Sequence, residues 1–366
     1  MNIAIIGHKR IPSREGGVEI VVEELATRMV ACGHQVTVYN RRGGHVAGDE
    51  YSVENKREYK GIRIVNIPTF KNSKLNAIVY SMNATIHAMC SKYDVIHYHA
   101  EGPSIMTALA RFTKKKIVVT IHGLDWQRSK WGGFATKMLL LGEKNAVKYA
   151  DEIIVLSENV KKYFKDTYNR DTLFIPNGIN RPEIIKADKI KSLYGIGEHN
   201  YILFLARIVP EKGLHYLLDA FSKINTDMKL VIAGGSSHTD EYFDKMKVKI
   251  AGDSRIIMTG FVQGEVLEEL YSNAYLYVLP SDIEGMPISL LEALSYGNNC
   301  LVSDIPENEL VKDLNYFEKS NVNDLKDKLE KLINDNIVVN RTENSQEVID
   351  KYNWDDITNK TLEVYL

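Results

Sequence analysis

Leu279-Pro-Ser-Asp-Ile-Glu-Gly-Met-Pro-Ile-Ser-Leu-Leu-Glu-Ala-Leu294 decides how the rest of the chain is read. The aromatic and apolar run from Tyr275 to Leu279 has the composition of a buried strand; it meets Pro280 and Ser281, and a helical pattern follows within a few residues. The pattern predicts a helix beginning near Glu284. Glu292 lies eight residues on, a little over two turns, so the two carboxylates would project in similar directions, one at the amino end and one deeper. A helix amino terminus attracts anions, so Glu284 reads either as a simple cap or as the neighbour of a bound polar ligand.

Working outward, the same strand-to-helix unit recurs. Asn2 to Gly7 is a short β-branched run, followed by His8-Lys-Arg-Ile-Pro-Ser-Arg-Glu-Gly-Gly-Val18 and helical spacing from Glu19 to Ala31. Gly16 and Gly17 would let the backbone approach a ligand at the start of that helix, although a paired glycine in a loop is usually only a turn. The spacing does not match the dinucleotide fingerprint, because His, Lys and Arg follow Gly7. Strands are predicted at Gln35 to Tyr39, Ile62 to Ile67, Val95 to Tyr98, Lys116 to Ile121, Glu152 to Leu156 and Thr172 to Ile175, with a polar loop from Arg41 to Lys60. Helices are predicted from Ser73 to Cys90, from about Pro103 to Phe112 and from Ala135 to Tyr149. His99 and His122 stand at the carboxyl ends of two strands, where ligands of a parallel sheet gather.

Ile175-Pro-Asn-Gly-Ile-Asn-Arg-Pro182 is punctuation, and a domain boundary is placed there. The alternation then restarts with strands at Tyr201 to Leu205, Lys229 to Ala233, Arg255 to Met258 and Asn299 to Ser303, separated by helices. The expected organisation is residues 1–180, residues 181–350 and a terminal helix at 351–366 returning to the first domain. Each domain is a doubly wound α/β fold, and the cleft between the two sheets is the expected site.

Composition sets bounds. The chain of 366 residues has 44% hydrophobic content, enough for two cores. Its net charge of -2 hides an asymmetry: residues 1–185 hold 27 Lys and Arg against 18 Asp and Glu, and the remainder 19 against 30. Two oppositely charged lobes facing each other would explain this; so would a basic half that meets an anionic surface such as a phospholipid headgroup layer. Three cysteines without metal-like spacing, no signal-peptide pattern and no apolar run of spanning length point to a cytoplasmic protein, with any membrane contact peripheral and at the inner face. No nucleic-acid motif accompanies the spread positive charge.

Arg207 and Lys212 follow the first strand of the second domain, Lys212 just inside the expected helix. A planar guanidinium fork and a point charge at a strand end can grip a diphosphate, whereas either alone would read as a solvated cation. Asp125, Trp126, Arg128 and Trp131 lie past a strand end and carry two readings, stacking on a bound ligand or packing the next helix onto the sheet.

Arg207-x-x-x-Glu211-Lys212-Gly213, with Glu284-Gly285 and Glu292-Ala293, resembles the donor-site pattern of glycosyltransferase family 4, retaining enzymes of the GT-B fold with two Rossmann-like domains across a cleft. The Gly16-Gly17 loop and Asn177-Gly178 fit the same family. Ile11-Pro-Ser-Arg-Glu-Gly-Gly-Val-Glu19 and His122-Gly-Leu-Asp-Trp-Gln-Arg-Ser-Lys-Trp-Gly132 look closer still to a bacterial rhamnosyltransferase-like subgroup of surface-polysaccharide synthesis. The resemblance implies that Glu284 contacts the donor sugar hydroxyls, Glu292 the ribose, Arg207 and Lys212 the departing diphosphate, and His122 the sugar near the reacting centre. It also implies a backbone amide from Gly17, further amides after Gly285 along the phosphates, Met286 and Pro287 among the donor-binding residues, and Val262 beside the base. Pro287 stands where the family often has a second glycine, and Ser289 where it often has proline, which would shape the sugar pocket differently.

The implied reaction transfers a hexosyl or deoxyhexosyl group from a UDP-, dTDP- or GDP-sugar to a glycan or lipid-diphosphate-linked acceptor. No cofactor is expected and, with no Asp-x-Asp after an apolar strand, no metal. A GT-B sugar-nucleotide epimerase and a non-catalytic two-lobed binding protein are the competing readings; acceptor-dependent turnover separates the first, and nucleotide release the second.

Overall fold

The computed structural model describes residues 1–14, 16–42, 56–69, 73–127, 132–235, 240–311, 314–335 and 341–366. Glu15, Arg128, Lys130 and Trp131, all named above, lie outside them. The chain divides into two units, Met1–Gly178 with Trp354–Leu366, and Ile179–Asn353.

In the first unit the strands are β1 (Asn2–Ile6), β2 (Gln35–Arg42), β3 (Glu58–Tyr59), β4 (Ile62–Pro68), β5 (Val95–His99), β6 (Lys116–Ile121), β7 (Glu152–Val155) and β8 (Leu173–Phe174). They form one sheet in the order β3-β4-β2-β1-β5-β6-β7-β8, parallel except for β3. Ile3, Ala4, Ile5 and Ile6 are completely buried, the continuous apolar run required of a strand covered on both faces. The helices are α1 (Gly17–Ala31), α2 (Ser73–Cys90), α3 (Glu101–Ser104), α4 (Thr107–Ala110), α5 (Gly133–Tyr149) and α6 (Glu158–Tyr168).

The second unit contains α7 (Lys189–Tyr194), β9 (Tyr201–Leu205), α8 (Leu214–Phe221), β10 (Lys229–Ala233), α9 (Asp240–Ile250), β11 (Ile256–Gly260), α10 (Glu265–Asn273), β12 (Leu276–Leu279), α11 (Ile288–Ser295), β13 (Asn299–Ser303), β14 (Asn315–Phe317), α12 (Val322–Asn334) and α13 (Arg341–Lys351). Its parallel sheet runs β11-β10-β9-β12-β13-β14. On α8 the buried Leu214, Leu217, Leu218 and Phe221 fall at three- and four-residue spacing and join the core beneath β9 and β12. Each such side chain contributes roughly 1.5–3 kcal/mol through burial. A last helix, α14 (Trp354–Val364), belongs to the first unit: Arg28 on α1 bonds Asp355 at 2.7 Å. A Cβ on Gly178 would lie 2.5 Å from the Trp354 indole.

Both sheets reverse their strand order at one place. In the first, the chain moves outward from β1 through β2 to β4 and returns to place β5 on the other side of β1; in the second, β12 returns to the far side of β9. The crevices at the carboxyl ends of β1/β5 and β9/β12 are the topological switch points where such sheets bind ligands.

Four expectations need correction. The helix after β12 begins at Ile288, not near Glu284, because the residue before a proline is driven out of the helical region and Pro287 caps the helix in an extended conformation. Lys212 is not inside α8; it ends a 3-10 turn, Pro210–Lys212, and Gly213 in the left-handed region separates the two. The segment from Pro103 to Phe112 is two short helices rather than one. The polar loop after β2 ends in a strand, β3, which folds back on β4 through Lys60 and Gly61, both at positive φ.

Candidate functional site

In the second unit the loops after β9 and β12 are built as one piece. Gly213 has a φ of +69°, and a Cβ there would stand 1.8 Å from the Pro280 carbonyl oxygen, so the turn fits against the end of β12 only because the residue is glycine. The Asp282 amide donates to the Glu211 carbonyl at 2.9 Å, and the Tyr216 hydroxyl donates to the Asp282 carboxylate at 3.3 Å. This seating brings the Lys212 ammonium to 2.5 Å from Glu284 Oε1, with the two side chains only 14% and 7% exposed. Glu284 is therefore paired across the switch point rather than capping a helix.

The neighbouring strand ends are laced in the same way. The Ala206 amide donates to Ala233 and the Ile208 amide to Gly235, and Gly234, at positive φ, packs where a Cβ would meet the Ala206 carbonyl oxygen at 1.9 Å. Arg207 lies within this stretch, between the ends of β9 and β10. Gly260 closes β11 at a φ of +73°, which turns the chain through Phe261 to the half-buried Val262. Gly285, Met286 and Pro287 are buried as they lead into α11, whose amino terminus has no side-chain cap. Glu292, on the second turn, accepts from the Tyr271 hydroxyl at 3.1 Å, and the Tyr271 ring stacks on Tyr296. The Tyr277 hydroxyl donates to the Ser289 hydroxyl at 2.9 Å; burial pushes its pKa well up, so it stays protonated.

In the first unit the switch point lies between β1 and β5. Gly7 has a φ of +130°, and a Cβ on it would fall 2.1 Å from the His99 carbonyl oxygen, so the loop after β1 crosses directly over the end of β5. His8 is fully buried with Nε2 3.0 Å from Asn40 Oδ1, and Asn40 both accepts the Ile11 amide and donates to the Ile11 carbonyl. That fixes the loop that enters α1 at Gly16 and Gly17. Glu19 folds back over this helix start, accepting the Lys9 amide at 2.9 Å. Its Oε2 lies 2.6 Å from where a Gly16 Cβ would be. The amino end of α1 is capped by Gly16 without a side-chain bond, and the Glu19 carboxylate lies over it where any side chain at position 16 would stand.

Three histidines gather beside it. His99 Nδ1 and His122 Nε2 are 2.9 Å apart. The His99 ring lies against His97 with centroids 4.2 Å apart. His97 sits between the hydroxyls of Thr120 and Tyr365, each at 2.7 Å. Burial, reinforced by the neighbouring rings, lowers His97 to about 3 and His99 well below the ordinary imidazole value, so both are neutral. Burial likewise lowers His8 to about 4.

Next to the loop of Asp125 and Trp126 lies an acidic hub. Glu143, fully buried on α5, accepts from the Trp126 indole at 3.2 Å, from the Tyr163 hydroxyl at 2.9 Å and from the Tyr168 hydroxyl. Burial, then Asp125 and Glu143, push the buried Glu101 carboxyl up to about 10, so it is neutral. Gly142 lets α5 approach α3, since a Cβ there would meet the Glu101 carbonyl oxygen at 1.9 Å. Trp126 is tied into this hub, and the structure does not describe Arg128.

The structure therefore gathers Arg207, Lys212, Glu284, Gly285, Met286, Pro287, Glu292 and Val262 on one sheet edge of the second unit. Gly16, Gly17 and His122 gather on the corresponding edge of the first. Sequence reasoning passed over Glu143, Glu101, Asn40 and Tyr365. A glutamate inside a helical pattern carries no sign that it is buried, but His97 and His99, alternating within β5, do mark one shared face.

Residues 15–181 match the model described as Glycosyltransferase Family 4, and residues 186–354 the model described as Glycosyl transferases group 1. An uncharacterised glycosyltransferase of Methanocaldococcus jannaschii is 27% identical, with the match covering 100% of this chain and 98% of that protein. The UDP-Gal:alpha-D-GlcNAc-diphosphoundecaprenol alpha-1,3-galactosyltransferase of Escherichia coli is 27% identical over 61% of each chain. HepE of Anabaena, solved in complex with UDP-glucose, superposes with a TM-score of 0.80 at 16% identity, covering 99% of this chain and 98% of that one.

Proposed function

We infer the function from the family: the chain belongs to the family 4 glycosyltransferases of GT-B fold, its two units matched in turn by glycosyltransferase models over residues 15–181 and 186–354. From that premise we propose that it moves a hexosyl or deoxyhexosyl group, with retention, from a UDP-, dTDP- or GDP-sugar to a glycan or lipid-diphosphate-linked sugar acceptor. The observation that carries this reading is the Lys212–Glu284 pair, held 2.5 Å apart at the β9/β12 switch point beside the uncapped start of α11.

Breaking an anomeric bond builds negative charge on the departing diphosphate. Fixed cations and helix amides at the place where that charge appears stabilise the transition state more than the ground state. In this reading Lys212 and Arg207 take the diphosphate, and Lys212 exchanges part of its contact with Glu284 for the phosphate oxygens. Glu284, oriented by the same pair, accepts from the sugar hydroxyls. Glu292 accepts from the ribose, Val262 lies beside the base, the amides of Gly285 and Met286 lead to the phosphates, and Pro287, which has no N–H, lines the same turn. Gly16 and Gly17 bring backbone donors to the diphosphate, and His122 contacts the sugar. Asp125, Trp126 and Arg128 serve the acceptor. A relative whose name specifies a diphosphoundecaprenol-linked acceptor supports the lipid-linked class.

We assign the chemistry to these side chains without a divalent ion. The placement in surface-polysaccharide synthesis, near the rhamnosyltransferase-like subgroup, rests on the residue patterns in Ile11 to Glu19 and His122 to Gly132. The basic excess of residues 1–185 supports contact with the inner face of an anionic membrane. Among the described residues no helix is long and apolar enough to cross one. The epimerase and binding-protein readings are not carried forward, since the matching models and the relatives above are described as glycosyltransferases. The test is nucleotide release by Glu284→Ala and Lys212→Ala: each should fall at least about a hundredfold, or about 2.7 kcal/mol of transition-state stabilisation, in folded protein. Near-normal rates in both would remove the donor-site assignment.

A further inference from the structure

Tyr365 follows α14, far from His122 in the sequence, yet a column of rings joins them. Its hydroxyl is 2.7 Å from His97 Nδ1, and Thr120 Oγ1 is 2.7 Å from His97 Nε2, so both nitrogens of this fully buried ring are engaged and its plane is set. His97 and His99 are two residues apart on β5 and project to the same face. Their centroids are 4.2 Å apart, so the fixed plane of His97 limits how the His99 ring turns. His99 in turn meets His122 at 2.9 Å, Nδ1 to Nε2.

A single proton lies between those two nitrogens, and the rest of the column decides whose it is. His99 is neutral and carries one proton. Its Nε2 is buried and has no hydrogen-bond partner among the described residues. A buried lone pair without a partner is tolerated better than an orphaned buried N–H. The His99 proton therefore sits on Nδ1 and is donated to His122 Nε2, which leaves the His122 proton on its Nδ1.

We propose that Tyr365 is a positioning residue: acting through His97 and His99, it holds the His122 ring in one orientation and in the Nδ1–H tautomer. The proposal rests on the reading that His122 serves the donor sugar. It gives the segment that follows α14 a part in the site of the first unit, although residues 179–353 separate them in the chain. Replacing Tyr365 by Phe keeps the ring and removes the hydroxyl. His97 then loses its partner at Nδ1 and is free to turn, His99 follows, and Nε2–H forms of both His99 and His122 become populated.

The experiment uses full-length protein labelled with 15N-histidine and compares wild type, Tyr365→Phe and His122→Ala. Long-range proton–nitrogen spectra of the wild type should show His122 as a single Nδ1–H tautomer, assigned by the loss of its signals in His122→Ala. In Tyr365→Phe the two tautomers should mix, and the turnover number for nucleotide release should fall by about tenfold with the donor KM little changed. An unchanged tautomer, or a wild-type turnover number, in a folded Tyr365→Phe protein would overturn the proposal. Thr120→Val, which removes the other bond to His97, makes the same comparison if Tyr365→Phe does not fold. Full turnover by His122→Ala would instead overturn the role given to His122, and the tautomer comparison would separate that failure from failure of the column itself.

Discussion

Removing Lys212 or Glu284 singly, and then both, separates what the pair does for the fold from what it does for the reaction. With the two side chains 14% and 7% exposed and 2.5 Å apart, a charge that loses this partner stays where water scarcely reaches it. Breaking a buried pair on one side costs about 3–5 kcal/mol, whereas removing both members is often nearly neutral. The residual exposure places Lys212→Met and Glu284→Gln just below that range, at about 2–3 kcal/mol each. The double variant should cost no more than either single one, a coupling of at least about 2 kcal/mol. Turnover should behave oppositely and stay down at least about a hundredfold in all three proteins, because restored packing does not restore charge at the diphosphate. Stability is read by urea unfolding followed by far-UV circular dichroism: the three tryptophans, Trp126, Trp131 and Trp354, all fall in the first unit, so their fluorescence would not follow Ile179–Asn353. Additive costs would refute the buried-pair reasoning, and a double variant with normal turnover would refute the catalytic one.

Two further outcomes follow from the geometry. Gly213→Ala places a Cβ 1.8 Å from the Pro280 carbonyl oxygen at a φ of +69°, so the turn must pull away from β12. We expect a loss of at least about 1 kcal/mol in stability and a fall in turnover exceeding that of any strain-free change nearby; wild-type kinetics would show that the two loops need not touch. Stability should also fall on both sides of neutrality. His8, His97 and His99 are held neutral by burial, so their contribution is complete above the ordinary value of 6.5 and is lost as pH falls, at up to about 1.4 kcal/mol per unit for each. Glu101, raised to about 10, works the other way: its contribution is complete below the ordinary carboxylate value of 4.5 and is lost as pH rises towards 10. Melting temperatures from pH 5 to 9 should show Glu101→Gln flattening the alkaline limb and steepening the acid one; parallel curves for variant and wild type would contradict the assignment.

The alternation of apolar runs and amphipathic segments made both parallel sheets legible, because strands buried on two faces can hardly be anything but continuous apolar runs, as Ala-Ile-Ile in β1 and Leu-Val-Ile in β10 are. The short edge strand β14 was not legible, since Asn315–Phe317 is too brief to show a period. The start of α11 was misplaced although its signal was present: Pro287 bars Met286 from helical geometry, and a helix from Glu284 would have had to pass through both. The pairing of Lys212 with Glu284 depends on two loops 72 residues apart meeting at Gly213, which is a property of the sheet order and not of either segment. Glu143 lay beyond reach for a different reason. Its helix reads the same whether the carboxylate faces water or, as it does, three partly buried donors.

The central claim is that this chain transfers a sugar from a nucleotide to an acceptor, and nucleotide release tests it most directly. The purified protein would be given UDP-, dTDP- and GDP-sugars in EDTA, with and without a lipid-diphosphate sugar acceptor. The account predicts release from one donor that rises when acceptor is added and persists in the chelator. Release that ignores the acceptor, or tight binding of a donor with no release under any of these conditions, would contradict it.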